Sequence, residues 1–258
     1  MAEIDKTVRW TLAEENLHEL AENPYPGRGL VQGLNRTGDT ALQAYWVMGR
    51  SENSRNRVLV EDDDVVRTEA WDDSRVTDPS LIIYNAMRCL SDAHDVHIAS
   101  NGNQTDTIFD GLVSGRSFAT ALEGREYEPD APNYTPRISG IVVPYLQPTA
   151  GQLAERGFSV IRRDEQSGRP IHGYFRNVLE KSDRGFGQCV HTYTGDGDPL
   201  PSFDGEPFEV PMGFGVDDTA EKFWGALNTD NRVALVVKGV HLATRSTEYR
   251  IINAHEAS

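Results

Sequence analysis

The 258-residue chain predicts an α+β fold made mostly of antiparallel sheets, and three observations support this expectation. Strand-like and helix-like stretches follow one another as β-β, α-α, β-β-β-β, α, β-β, without the regular alternation of a doubly wound parallel sheet. The strand runs are short and bounded by clusters of Gly, Pro and Asp. No repeat, low-complexity tract or long linker divides the chain, so one domain, residues 25–258, is expected behind a short leader, residues 1–24.

The leader reads as an appended helix. Thr11 serves as its cap, Leu12, Leu17 and Leu20 recur at roughly helical spacing, and Pro24 stops it. From Gly29 the character turns to strands. Thr40–Gly49 and Arg57–Val66 are β-rich runs flanking the polar segment Arg50–Asn56, which reads as a hairpin. Helical periodicity is expected over Asp78–Leu90, where Leu81, Tyr84, Cys89 and, more loosely, Ala86 mark one face. It returns over Thr105–Glu123 as two helices broken near Gly115. Strands follow at Arg137–Val143, Gly157–Arg163, His172–Val178 and Gln188–Tyr193. A loop rich in Gly, Pro and Asp spans Gly195–Pro211, Asp217–Leu227 reads as a capped helix, and strands at Arg232–His241 and Glu248–Ile252 close the chain.

Charge narrows the function classes. Forty acidic residues against 25 basic ones leave a net charge of −15, and Lys stands only at 6, 181, 222 and 238, so 21 of the cations are Arg. Such a surface repels nucleic-acid backbones and anionic lipid, and any anionic ligand needs a local basic pocket. Cys89 and Cys189 match no zinc or CxxC pattern, and no apolar run is long enough for a signal or a membrane span, so a cytoplasmic protein with reduced thiols is expected. Walker A, GxSxG, HExxH and GxGxxG signatures are absent. His94 and His97 stand three apart on a strand, which puts them on opposite faces and spoils a shared metal site. Glu61–Asp64 and Gly195-Asp-Gly-Asp lack calcium-loop spacing and read as solvated turns.

Three segments have the residue types for chemistry. Arg50-Ser-Glu-Asn-Ser-Arg-Asn-Arg57 sets three guanidiniums among small hydroxyl and amide groups, the composition that phosphate capture requires, although a surface turn paired with Glu61–Asp64 explains the same residues. Ser100-Asn-Gly-Asn-Gln-Thr-Asp-Thr107 opens a helix with exposed backbone N–H groups, as a capped turn also would. Tyr127–Arg137 carries three prolines and reads as a rigid loop holding Glu128 and Arg137 at its ends.

In order and spacing, Tyr25-Pro-Gly-Arg-Gly-Leu30, Gly49–Arg57, Tyr84-Asn85, Ser100–Ile108, Tyr127-Glu128 and Asn133-Tyr-Thr-Pro-Arg-Ile138 resemble the archaeal-type IMP cyclohydrolase family, which closes the purine ring. His191-Thr-Tyr193 and Thr247–Ile252 extend the likeness. The leader and the Gly195–Pro211 loop exceed the compact family form, and the arginine segment is two residues longer, so either Arg55 or Arg57 could be the family's arginine; Arg57 keeps the Asn-Arg pair ahead of the strand. The resemblance implies a four-layer αββα sandwich like that of N-terminal-nucleophile hydrolases, without a processed nucleophile. It implies cyclisation of 5-formamidoimidazole-4-carboxamide ribonucleotide to IMP and water, with Arg57, Tyr84 and Glu128 as catalytic residues. Arg28, Arg50, Asn85, Asn101, Thr105, Asp106 and Arg137 would hold the substrate. No metal and no cofactor is expected. The expected partner is the purine ribonucleotide, with no nucleic acid and no membrane, and a homo-oligomer is compatible with the sequence. A non-catalytic purine-nucleotide binding protein on the same fold is the alternative.

Overall fold

The run TALQAYWVM forms β2 (Thr40–Met48), buried along its whole length near the centre of a six-stranded antiparallel sheet. It is apolar throughout because both of its faces are covered. Leu42, Ala44, Trp46 and Met48 point to one core, and Tyr45 and Val47 to another. In this computed structural model, which describes residues 5–76, 79, 82–91, 95–146 and 151–256, β2 lies between β1 (Gly29–Leu34) and β12 (Arg232–His241). Strands β10 (Phe186–His191) and β11 (Phe208–Pro211) extend the sheet past β1, and β13 (Thr247–Asn253) extends it past β12.

The second sheet is an antiparallel meander of seven strands in chain order: β3 (Val58–Asp62), β4 (Val65–Glu69), β5 (Asn85–Leu90), β6 (Val96–Ser100), β7 (Arg137–Pro144), β8 (Gln152–Arg163) and β9 (Pro170–Glu180). Its inner face packs on the first sheet, with Leu30, Tyr45 and Val236 of one sheet meeting Ala99, Ile138 and Phe158 of the other. Helices α1 (Lys6–Glu22) and α5 (Val216–Ala226) cover the outside of the six-stranded sheet; α3 (Gln104–Val113), with the short α4 (Phe118–Ala121), covers the seven-stranded one. Burying each large apolar side chain of these cores contributes roughly 1.5–3 kcal/mol. At Gly140 of β7 the layers leave no room for a side chain: a Cβ there would stand 1.7 Å from the Gln32 amide and 2.7 Å from Leu30 Cδ2.

The expected α+β architecture with antiparallel sheets is observed, and so are the paired helices around Gly115. Four local expectations are corrected. Thr40–Gly49 and Arg57–Val66 contain strands but form no hairpin, because β2 and β3 belong to different sheets. Arg50–Asn56, with the one-turn helix α2 (Glu52–Arg55), is the crossover between the layers. The helix expected over Asp78–Leu90 is instead β5 across its second half. The register shifts between Val66 and Arg67, so Ala86 and Met87 both reach the inter-sheet core and the period of two is broken. Leu81 and Asp78 lie outside the described residues, as does His94. The Gly195–Pro211 loop ends in the edge strand β11.

The leader helix begins at Asp5, whose carboxylate accepts from Thr7 N at 2.8 Å, so Thr11 lies inside the helix rather than at its cap. It buries Ala13, Leu17 and Leu20 and leaves Leu12 exposed. It is pinned to the sheet by Arg9, which meets Glu209 at 2.6 Å and Asp183 at 2.7 Å. Near it, His191 packs against Phe203 with ring centroids 4.5 Å apart, and burial lowers the imidazole from 6.5 to about 4. Between those values the unfolded chain binds a proton that the folded chain refuses. This contribution to stability is therefore complete above about pH 6.5 and is lost as the pH falls toward 4, by about 3 kcal/mol in all. Denaturant melts from pH 7.5 to 4.5 should show a shallower acid loss in His191→Phe than in the parent; parallel losses would place the sensitivity elsewhere.

Candidate functional site

Where β1 begins and β2 and β10 end, the two sheets part to leave a cleft of about 260 Å3. Its walls include Tyr25, Arg28, Arg50, Ser54, Arg57, Glu128, Thr135 and Tyr193. Arg28 is delivered by the turn before β1. Gly27 adopts φ +73°, and a Cβ there would come within 2.2 Å of Thr192 Oγ1 and 2.6 Å of the Tyr193 ring, so only glycine admits this approach. The Arg28 N–H donates to Thr192 Oγ1 at 3.1 Å.

Facing Arg28 is Glu128, on the loop that enters β7. The loop is shaped by its own hydrogen bonds: the Glu128 N–H donates to Thr135 O at 2.9 Å, and the Thr135 N–H to Asp130 Oδ1 at 2.7 Å. Arg28 Nη2 donates to Glu128 Oε2 at 2.9 Å, with side chains only 12% and 5% exposed. Burial pushes the Glu128 carboxyl above its ordinary range, against the opposing pull of Arg28 and Arg137. Burial also disfavours the Arg28 charge, yet the Glu128 carboxylate and the neighbouring phenols of Tyr193, Tyr84 and Tyr45 hold that guanidinium well above its usual value.

The crossover from β2 to β3 supplies the opposite wall. Arg57 is 1% exposed; its Nε donates to Ser54 O at 2.8 Å and its Nη2 to Met48 O at 3.2 Å. Among the described residues Nη1 has no partner, which leaves it for a ligand. Arg50 stands at the more open rim, paired with Asp196 and 5.0 Å from the Tyr25 ring centroid. Arg55 instead lies outside the cleft lining, with Nη2 donating to Asn231 Oδ1 at 3.2 Å.

Of the residues singled out by sequence, Arg28, Arg50, Arg57 and Glu128 line the cleft together. Tyr84 sits just behind the lining, its hydroxyl 2.7 Å from that of Tyr45. Arg137 backs Glu128 and is tied by Nη1 to Gln104 Oε1 at 2.8 Å and by Nε to Glu126 O at 3.0 Å. Asn101 and Thr105 are buried in the frame. Asn101 Nδ2 donates to Pro136 O at 2.9 Å, its Oδ1 accepts from Ile138 N at 2.9 Å, and Thr105 Oγ1 meets Ser100 Oγ. Asn85 and Asp106 are not brought to the cleft. They meet on the helix-covered face of the seven-stranded sheet, where Asp106 Oδ1 accepts from Asn85 Nδ2 at 2.9 Å and from Arg88 Nη1 at 2.8 Å.

Sequence reasoning assigned no role to Tyr45, Asp130, Thr135, Tyr193 or the Gly195–Pro211 loop. Thr135 Oγ1 meets both Asp130 Oδ2 and Tyr193 OH, and Leu200 from that loop closes a wall after its N–H donates to Asn133 Oδ1 at 3.1 Å. The loop before β7 and the His191-Thr-Tyr193 block were the available signals. The cleft carboxylates Glu128 and Asp130 are engaged with Arg28 and Thr135. Cys89, Asp95 and His97, which cluster elsewhere between the sheets, contribute nothing to the cleft lining.

Chemically, the cleft offers a buried carboxylate with a raised proton affinity, fixed cations on facing walls, and phenols behind them. That suits proton removal from an uncharged group while an oxyanion is neutralised nearby. An IMP cyclohydrolase from Methanococcus maripaludis is 30% identical over 195 residues, 73% of this chain and 92% of the relative. The model of the family described as IMP cyclohydrolase-like protein matches residues 25–243, from the first residue of the cleft turn to just beyond β12, and the chain belongs to that family.

Proposed function

We propose that this cleft closes the purine ring, converting 5-formamidoimidazole-4-carboxamide ribonucleotide to IMP and water, with Glu128 as the base. The activity class follows from family membership: the chain is an enzyme of purine nucleotide synthesis with IMP cyclohydrolase chemistry. The observation that supports the assignment of roles is the buried Glu128, ion-paired with Arg28 and sharing one cleft with Arg57.

The reaction is intramolecular, so the substrate supplies the proximity and the protein manages protons and charge. The carboxamide nitrogen attacks the formyl carbon, forming the new C–N bond, while Glu128 takes one of its protons. The formyl oxygen becomes an oxyanion facing Arg57 Nη1, and on protonation becomes a hydroxyl. That C–O bond then breaks, and the former formamido N–H proton is lost as the C=N double bond forms. The two protons and the oxygen leave as water. Tyr84, steadied by Tyr45, supplies the neutral hydrogen bond to the departing oxygen. Arg28 and Arg137 keep Glu128 ionised against burial, and Arg50 exchanges Asp196 for the substrate phosphate at the rim. Asn101 and Thr105 act through the frame. Asn85 and Asp106 are left out of the proposed site because they face α3. Neither metal nor cofactor is needed for these steps.

The order helix, sheet, sheet, helix supports reading the architecture as the αββα sandwich of N-terminal-nucleophile hydrolases, with the nucleophile supplied by the substrate itself. The net charge of −15 supports a protein without nucleic-acid or anionic-membrane partners. No helix among the described residues is long and apolar enough to cross a membrane.

Arg57→Lys should keep the charge but lose the planar fork that spans two carbonyls and a ligand, lowering kcat/KM by about 1–3 kcal/mol. Arg55→Lys should change nothing; the reverse pattern in steady-state kinetics would move the role to Arg55. Glu128→Gln retains an acceptor for Arg28 Nη2 and loses the base, so turnover should fall about 10²–10⁴-fold while IMP still binds. Because the Glu128 pKa lies above its ordinary 4.5, kcat/KM of the parent should already fall on the acid side at a pH above that value. In Glu128→Gln the residual rate should lose this limb. Near-normal turnover in the variant would place the base elsewhere.

A further inference from the structure

Cys89 and His97 face each other across β5 and β6 in direct register, on the side turned toward the other sheet. Just before β6, at a backbone position with φ +43°, stands Asp95, whose Oδ1 is 3.1 Å from His97 Nε2. One ligand atom from each of the three lies within 4.8 Å of the others. Opposite them, Gln43, Lys238 and Tyr249 form one cross-strand row on the six-stranded sheet. Gln43 Nε2 reaches His97 O at 3.3 Å, and Lys238 Nζ lies 5.2 Å from the Tyr249 ring centroid.

This chamber is short of partners. His97 is 1% exposed and Lys238 0%, and among the described residues His97 Nδ1, Lys238 Nζ, Gln43 Oε1 and Tyr249 OH have none. Buried polar atoms in native proteins are rarely left so, and a cluster of them points to something that satisfies them. We propose that Cys89, Asp95 and His97 bind one thiophilic divalent metal ion of the zinc class between the two sheets, outside the substrate cleft.

The donor set of one thiol, one imidazole and one carboxylate selects zinc-like ions over magnesium or calcium. With ordinary zinc bond lengths, nitrogen and oxygen ligands on one tetrahedron lie about 3.4 Å apart, and sulfur and nitrogen about 3.5 Å. His97 Nε2 and Asp95 Oδ1, 3.1 Å apart, already stand near such a separation, and the Cys89 ligand atom lies within 4.8 Å of theirs. On binding, the Cys89 S–H bond gives way to a sulfur–metal bond and its proton goes to solvent, so the site is neutral overall. The fourth position is left for water. The competing occupant is internal. Lys238 as an ammonium, with Arg245 Nη1 3.6 Å from Asp95 Oδ2, could hold the carboxylate without any ion.

Cobalt(II) distinguishes the two on the intact chain. Chelator-stripped protein titrated with Co2+ should saturate at one ion per chain, with a sulfur-to-cobalt band in the near ultraviolet and strong tetrahedral bands in the visible, and Zn2+ should bleach both. Cys89→Ser should lose the near-ultraviolet band, and His97→Gln should weaken Co2+ binding by at least about 10–100-fold. Lys238→Met removes a cation and should bind at least as tightly as the parent. The proposal is overturned if the unmodified chain gives no such spectrum and Zn2+ raises its Tm no more than Mg2+ does. Binding seen only in Lys238→Met would likewise overturn it and identify the ammonium as the native occupant.

Discussion

A guanidinium and a carboxylate 2.9 Å apart, both almost withdrawn from water, hold the two halves of this molecule in register at the cleft. Arg28 comes from the turn leading into β1 of the six-stranded sheet and Glu128 from the loop feeding the seven-stranded one. Desolvating two such ions costs several kcal/mol each, and their attraction offsets that cost only with good geometry and further hydrogen bonds. A pair of apolar residues would hold the sheets together as well. What the ion pair adds is a carboxylate that is dry, charged and aimed, which an exposed Glu cannot be. The backbone around it is correspondingly constrained: a left-handed Gly27 on one side, and on the other a loop closed by the Glu128–Thr135 and Thr135–Asp130 hydrogen bonds.

The second wall follows from topology. A chain leaving the centre of one sheet for the edge of the other must cross the gap between layers, and Arg50–Asn56 is that crossing. Its polar backbone is satisfied by a single helical turn capped reciprocally by Ser51 and Ser54, and by the Arg57 guanidinium folded back onto Ser54 O and Met48 O. Arg57 is therefore both the plug for the crossover carbonyls and a cation facing the cleft. Lysine, with one donor head and no plane, cannot do both.

The sequence was most legible where one physical demand governed each residue. Strands with one clear periodicity, the helix near Asp217 and the break at Gly115 all emerged at nearly their observed positions, although that helix opens at Gly215 without the expected side-chain cap. The misreadings lie where two demands overlap. At β5 a bulge sends adjacent Ala86 and Met87 to the same core, so the alternation that announces a strand is absent and a helical period appears by coincidence. At β2 and β3 the propensities were right, but pairing is a long-range property that a seven-residue polar connection does not reveal. The same limit separates the site residues. Arg28, Arg57 and Glu128 stood in motifs rigid enough to imply placement, whereas Asn85 and Asp106, in the Tyr84-Asn85 and Ser100–Ile108 blocks, fold to the opposite face of their sheet. Family resemblance raised all of them equally, and only the direction of each side chain across a two-faced sheet separates them.

Direction also decides the chemistry of the interior. Between the sheets, the row Gln32, Gln43, Lys238 and Tyr249 crosses the six-stranded layer in register, and Arg156, Val142, His97 and Cys89 answer it on the seven-stranded one. An inter-sheet core needs only shape and apolar surface to be stable, so a polar stripe through it weakens packing unless its atoms are matched. Part of the stripe is matched within the protein. Arg156 Nη1 donates to Gln32 O at 3.1 Å, and the Gln32 amide, oriented by its neighbours, bridges to the backbone N–H and carbonyl of Ile141. Those bonds tie β1 to β7 and β8 and fix the slide of one sheet over the other, which apolar contacts leave loose. The cleft depends on that slide being fixed, since a displacement of one strand spacing would separate Arg28 from Glu128. The polar interior and the active carboxylate are thus two ends of one constraint, the registration of two sheets.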